Sequence, residues 1–168
     1  MRRFVAIFVA ACAVVGCGST RSAAPQRSGR TSVAGGCGAT TLYRHGLPGW
    51  TAPAFTSSSG SPGPIPYAIA EHGTAVAFMF AFPLRAGNRT NPANKVLWIM
   101  RLPRHGSPLA IRATPLHGHA APVRITLPPD SAPAEIYPSY VNVPKAGCWH
   151  LTLRWAHHAD SIDLPVRA

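Results

Sequence analysis

The sequence predicts an all-β fold, an antiparallel β-sandwich of about seven short strands. Three observations predict it. From Cys37 onward Pro and Gly recur every few residues, 18 Pro and 15 Gly in the 168-residue chain, and they separate short apolar runs. The runs have strand length and strand composition, rich in Val, Ile, Leu and aromatic residues. No stretch keeps apolar residues at i, i+3 and i+4 for long enough to build a helix.

The elements follow in order. A first strand is expected around 66–71. TAVAFMFAFPL, residues 74–84, carries the next and is ended by Pro83, which has no N–H for a ladder. KVLWIMRL (95–102), LAIRATPL (109–116), PVRITLP (122–128), SYVNVP (139–144), CWHLTLRWA (148–156) and SIDLPVRA (161–168) supply the rest. Turn-forming segments stand between them: AGNRTNPAN, PRHGSP, HGHAAP, PPDSAPAE and PKAG. The Gly/Ser/Pro-rich stretch 37–64, with Trp50 and Phe55, is expected to wrap over the sandwich, Trp50 plugging one end. No internal repeat is present.

Charge narrows the partners. Sixteen Lys and Arg face five acids, Glu71, Asp130, Glu135, Asp160 and Asp163, for a net +11 and a pI near 10.8. Such a balance favours nucleic acid, anionic lipid heads or acidic wall polymers. The arginines are spread along the chain, and no basic run with interleaved aromatics occurs. A nucleic-acid partner is therefore not expected.

The first residues read as an export signal. Arg2 and Arg3 make a basic start, and 4–15 is an uncharged apolar run. That run is too short to span a bilayer, which takes about 20 apolar residues, and fits a secretory signal core. It ends in Val14-Val15-Gly16-Cys17, which resembles the bacterial lipobox. The resemblance implies cleavage before Cys17 and a diacylglycerol thioether, with palmitate-type acyl chains, on its sulfur. Two acyl chains hold a protein on a membrane far better than one, since each buried methylene contributes about 0.8 kcal/mol. An ordinary secretory signal or an uncleaved anchor is the alternative. The arginine pair lacks the Ser or Thr that precedes a twin-arginine signal.

Removing 1–16 leaves 14 basic against 5 acidic residues, a balance of +9. Residues 17–36 are then the lipidated Cys17 and a disordered tether of Gly, Ser, Ala and Arg. One Val is its only large aliphatic side chain, too little apolar surface to offset the entropy of ordering. Arg21, Arg27 and Arg30 of the tether either lie on anionic lipid heads or are simply solvated. The β-domain is expected over 37–168.

Alternation in 148–156 sorts its side chains. Trp149, Leu151, Leu153 and Trp155 point to the core, and Cys148, His150, Thr152 and Arg154 point outward. Cys148 is thus available to a crossing segment. Cys12 leaves with the signal and Cys17 takes the lipid, so Cys37 and Cys148 remain as a pair in an oxidising compartment. A disulfide is predicted between them. A redox or metal-binding thiol pair is the alternative, and no C-x-x-C supports it.

PSYVNVPKAGCWHLTL, 138–153, resembles the tail of uncharacterised bacterial lipoproteins with a C-terminal immunoglobulin-like domain. Pro138, Pro144, Gly147, Cys148 and Trp149 carry the likeness. It implies an immunoglobulin-like sandwich, in which Trp98 would be a second core tryptophan, and it implies no activity.

Eight histidines raise the question of a metal. HGH at 117–119 puts two imidazoles on one face if extended, and His157 and His158 lie in the turn after CWHLTLRWA. His117 and His119 with one of His150, His157 or His158 could hold copper or zinc. No spacing is diagnostic, and solvated turn histidines are the competing reading. Catalysis has less behind it. There is no G-x-S-x-G, P-loop or dinucleotide glycine pattern. Asp160 and Asp163 are expected to bound a turn, and Ser161 beside His158 and Asp160 is adjacency, not a triad.

The expectation is a lipoprotein on the extracytoplasmic face of the cell membrane. It would be a non-catalytic binding or scaffolding module of the cell envelope, without cofactor. Its partners would be membrane lipid through Cys17 and an envelope protein or anionic polymer. The alternative is a copper- or zinc-binding lipoprotein.

Overall fold

The computed structural model describes residues 29–55, 64–87, 94–129 and 134–168. The predicted signal, Cys12, Cys17, Arg21, Arg27 and Asp130 lie outside the described residues. Eleven strands and one short 3-10 helix, Gly49–Phe55, are described. In chain order the strands are β1 (Thr31–Cys37), β2 (Thr40–His45), β3 (Tyr67–Ile69), β4 (Ala75–Met79), β5 (Leu84–Arg85) and β6 (Lys95–Met100). They continue with β7 (Leu109–Pro115), β8 (Val123–Leu127), β9 (Ile136–Tyr140), β10 (Gly147–Trp155) and β11 (His158–Arg167). Six form a first sheet, ordered β1-β2-β3-β4-β6-β9, and five a second, ordered β5-β11-β10-β7-β8. The pairs are antiparallel except β5 with β11.

The two sheets pack face to face as an all-β sandwich. Within it, β4-β6-β9 opposite β11-β10-β7-β8 follows the order of strands A-B-E opposite G-F-C-C′ in an immunoglobulin-like sandwich. β1 to β3 extend the first sheet beyond that unit.

Two-residue alternation builds the core. Trp149, Leu151, Leu153 and Trp155 of β10 are buried, as the alternation predicts, and meet Trp98, Met79 and Ala77 of the first sheet in one cluster. Each fully buried large side chain contributes roughly 1.5–3 kcal/mol. The tryptophans also satisfy their ring N–H groups. Trp98 Nε1 donates to Ser139 Oγ at 2.8 Å, and Trp149 Nε1 to the Lys145 carbonyl at 3.0 Å.

Over β3, β4 and β6 the first sheet is buried on both faces. Tyr67, Val76, Phe78 and Ile99 point away from the main core and form a second cluster with Trp50, Ala54 and Phe55 of the 3-10 helix. Of the stretch expected to wrap over the sandwich, the 3-10 helix Gly49–Phe55 lies across it, while Thr40–His45 joins the first sheet as β2 and 56–63 lie outside the described residues. Trp50, however, packs on this outer face and not in an end, because an apolar sheet face excludes water only if something lies across it.

Several boundaries differ from the sequence reading. Residues 31–36, assigned to the tether, pair as β1 with β2. The strand expected at 139–144 is Ile136–Tyr140, and Val141 and Val143 stay buried after leaving the ladder. Their backbones bond to loops instead: Val141 N donates to the Asn94 carbonyl, and Gly87 N to that of Val143. β11 starts at His158, so Asp160 and Asp163 lie inside a strand and are buried, 3% and 7% exposed. They do not bound a turn, because a two-residue turn, Ala156–His157, already reverses the chain between Trp155 and its partner His158.

Cys37 and Cys148 form the predicted disulfide, their Cα atoms 5.7 Å apart. It ties the β1 end of the first sheet to the start of β10 in the second. Asp163 reinforces the tie. Its Oδ2 accepts from Ala39 N at 2.8 Å, and its N–H donates to Thr40 Oγ1 at 2.8 Å. Gly38, at φ 57°, makes this approach possible: a Cβ there would fall on the Asp163 carboxylate.

Candidate functional site

The β1–β2 hairpin covers the outer face of the second sheet at β11, and among the described residues that face is open over β10, β7 and β8. β10, β7 and β8 send Leu and Trp, Leu and Ile, and Val, Ile and Leu inward. Alternation then puts His150, Thr152 and Arg154 of β10, Ala110, Arg112 and Thr114 of β7, and Arg124 and Thr126 of β8 outward. Register arranges them in rows. Thr152 stands opposite Arg112, and Arg112 opposite Arg124. In the next row Arg154 stands opposite Ala110, and Ala110 opposite Thr126. Small Ala110 leaves a hollow between the longer side chains. The result is a depression of about 350 Å³ lined by Arg112, Arg124, Arg154, Thr126 and Thr152, with Ala110 and the backbone at Ile111 and Ile125 beneath.

The three arginines have no acidic partner among the described residues. The described acids are all engaged elsewhere. Ser161 Oγ donates to Glu71 at 2.7 Å, and Arg104 Nε to Glu135 at 3.2 Å. Asp160 bonds His72, Thr74 and Ser161, and Asp163 bonds Ala39 and His150. Three permanent positive charges therefore face outward from one small area.

A second depression, about 310 Å³, lies beside the β1–β2 hairpin and is lined by Arg30, Tyr43, Glu71, His150, Ser161 and Asp163. His150 Nδ1 is 2.8 Å from Asp163 Oδ1, a contact that orients the ring. Ser161 donates its hydroxyl to Glu71, and among the described residues no hydroxyl or thiol is bonded to a histidine ring. Its charges are mixed, unlike those of the arginine face.

Asp160 is the other concentrated electrostatic feature. Its side chain is fully buried at the end of the sandwich. Oδ1 accepts from the N–H of His72 (2.9 Å) and of Ser161 (2.8 Å); Oδ2 accepts from Thr74 N (3.0 Å) and Thr74 Oγ1 (2.6 Å). Burial alone would raise the carboxyl pKa. The hydrogen bonds from His72, Thr74 and Ser161 outweigh it and hold the pKa below the ordinary 3.8. Asp160 joins the β3–β4 turn to β11 and meets His72, not His158, whose ring lies against Trp155 at 5.5 Å.

The structure does not assemble the histidine set His117, His119, His150, His157 and His158. β10 is antiparallel to β7, with Trp149 opposite Pro115. His117 and His119 follow the end of β7 and so lie near the start of β10, whereas His157 and His158 follow its far end. The strand between, rising about 3.4 Å per residue, keeps the two groups on the order of 20 Å apart. His150 is on the outer face, engaged by Asp163. Among the described residues no three His, Cys, Asp or Glu side chains are placed to share an ion. Calorimetric titration with Cu(II) or Zn(II) is accordingly expected to give weak, multi-site heats. Tight one-to-one binding lost in His117→Ala/His119→Ala would contradict this arrangement.

The arginine face escaped the sequence reading because its members are scattered along the chain. The outward alternation of Arg112, Arg124 and Arg154 in three separate runs was its only local signal. Fold and face together define a small all-β sandwich whose second sheet presents a basic outer surface over β10, β7 and β8. Set against family models, curated proteins and solved structures, the chain matches none of them.

Proposed function

We propose that this protein is a lipid-anchored, non-catalytic binding module on the extracytoplasmic face of a bacterial cell membrane. The observation that carries the binding role is the contrast between the two sheets. The outer face of the first is covered over β3, β4 and β6 by the 3-10 helix, whereas the second presents Arg112, Arg124 and Arg154 with no acidic partner among the described residues. Ala110, Arg112, Arg124, Thr126 and Arg154 of that face are exposed, so among the described residues nothing packs across it. The basic start, apolar run and Val-Val-Gly-Cys17 sequence support export and acylation, and the Cys37–Cys148 bridge suits an oxidising compartment. Among the described residues no helix is long and apolar enough to cross a membrane.

The anchor has a direct test. Expressed with its own leader in a bacterial host fed an alkynyl palmitate analogue, the protein is expected to become labelled and to sediment with membranes. Cys17→Ala is expected to abolish the label and release the protein to the soluble extracytoplasmic fraction. An unlabelled wild type, or a Cys17→Ala variant that still sediments, would overturn the anchor.

A further inference from the structure

We infer that the depression bounded by Arg112, Arg124 and Arg154 is a phosphate-binding site, and that its occupant is an extended polymer carrying phosphate groups. The inference rests on the binding-module reading and names the chemistry of its ligand.

The argument starts from an electrostatic cost. Arg112 and Arg124 are directly opposite across β7 and β8. Like charges in that position repel and destabilise a sheet. Arg154 is diagonal to Arg112 across β10 and β7, the row of Thr152–Arg112 being next to that of Arg154–Ala110. Diagonal neighbours of this kind are about 7–8 Å apart, within reach of long side chains. No described carboxylate neutralises any of the three. An anion held between them removes the repulsion and converts it to attraction.

Donor count selects the anion. Three guanidinium forks and the hydroxyls of Thr126 and Thr152 line the same hollow. A carboxylate's two oxygens lie in one plane, and a single bidentate fork engages both along one edge. A phosphate within a polymer holds two non-bridging and two bridging oxygens in a tetrahedral spread, so forks from β7, β8 and β10 can approach it from different sides. Arginine is suited to such planar, bidentate contacts.

Size and shape select a polymer. At about 350 Å³ the hollow is at the lower end of the range for small-molecule sites, roughly 300–1,000 Å³. It is an open feature of a sheet face, floored by the side chain of Ala110 and the strand backbone at Ile111 and Ile125, whose own side chains point to the core. Such a trough accepts a phosphate together with the chain on either side of it. The chain's positive balance adds long-range attraction to a polyanion.

The test uses the full chain carrying Cys17→Ala, so that no lipid anchor contributes and the outcome is independent of the anchor experiment. The probes are long-chain inorganic polyphosphate, polygalacturonate as a carboxylate polymer, dextran as a neutral one, and vesicles of phosphatidylglycerol and phosphatidylcholine. Polyphosphate is expected to bind best. Arg112→Ala, Arg124→Ala and Arg154→Ala should each weaken it roughly tenfold, as expected for losing a hydrogen bond between charged groups. Each should also lower the slope of log affinity against log salt by about one. Arg101→Ala, an exposed arginine off this face, is expected to change affinity less than twofold, and unchanged thermal melts verify folding. Equal losses in Arg101→Ala and the face variants would overturn the site, as would no binding of polyphosphate at low salt. Polygalacturonate binding as tightly through the same arginines would overturn the phosphate assignment. Tighter binding of vesicles through them would overturn the polymer.

Discussion

Replacing Cys37 and Cys148 together by Ala is expected to lower the stability of the folded domain by about 4–5 kcal/mol. The bridge joins residues separated by 111 positions. A crosslink over so long a loop removes much conformational freedom from the unfolded chain, and the chain-entropy treatment returns that magnitude for such a loop. Against a typical domain stability of about 5–15 kcal/mol this is a large fraction. Urea titration of the oxidised wild type and the double variant measures it. With a denaturant slope of about 1–3 kcal/mol per molar, the midpoint should fall by on the order of 2 M. The β1–β2 turn keeps its bonds to Asp163 in the variant, so the fold itself is expected to survive. A loss under about 1 kcal/mol would mean that the unfolded chain is already compact around these positions.

Asp160→Ala is expected to cost about 3–5 kcal/mol at neutral pH. It removes the acceptor of four donors at once: His72 N, Thr74 N, Thr74 Oγ1 and Ser161 N. A buried polar group left unsatisfied costs about 1–3 kcal/mol, and water entering the new space recovers part of the sum. His72 is largely exposed, and its contact to Asp160 adds little that solvent does not screen.

The same site imposes a pH dependence with a definite sign. The folded pKa of Asp160 lies below its ordinary value of 3.8, so the carboxylate stabilises the fold above that value. The contribution begins to fade as pH drops to the ordinary aspartate range and is gone only below the folded pKa. Asp160→Asn keeps the shape and removes the charge. The stability gap between it and the wild type should be full at pH 7 and should narrow steadily below about pH 4. Denaturant titrations at pH 7, 5, 3 and 2 give the comparison. A gap that stays constant across them would refute the charged role of Asp160.

The sequence by itself determined whatever depends on local period and on elimination. Alternation sorted β10 into buried Trp149, Leu151, Leu153 and Trp155 and outward Cys148, His150, Thr152 and Arg154, because the two-residue period of a strand is a property of its own backbone. Cysteine arithmetic paired Cys37 with Cys148, because few thiols were left to pair. Proline and glycine spacing placed most strands to within a few residues. What only the tertiary structure decided is which segments meet. The pairing of Thr31–Cys37 with Thr40–His45, the covering of the first sheet by Trp50 and Phe55, and the burial of Asp160 beneath the β3–β4 turn depend on contacts between residues far apart in the chain. The arginine face has the same origin. Arg112, Arg124 and Arg154 become neighbours only through the registers of β10 on β7 and β7 on β8, and register is set by burying the opposite face of each strand.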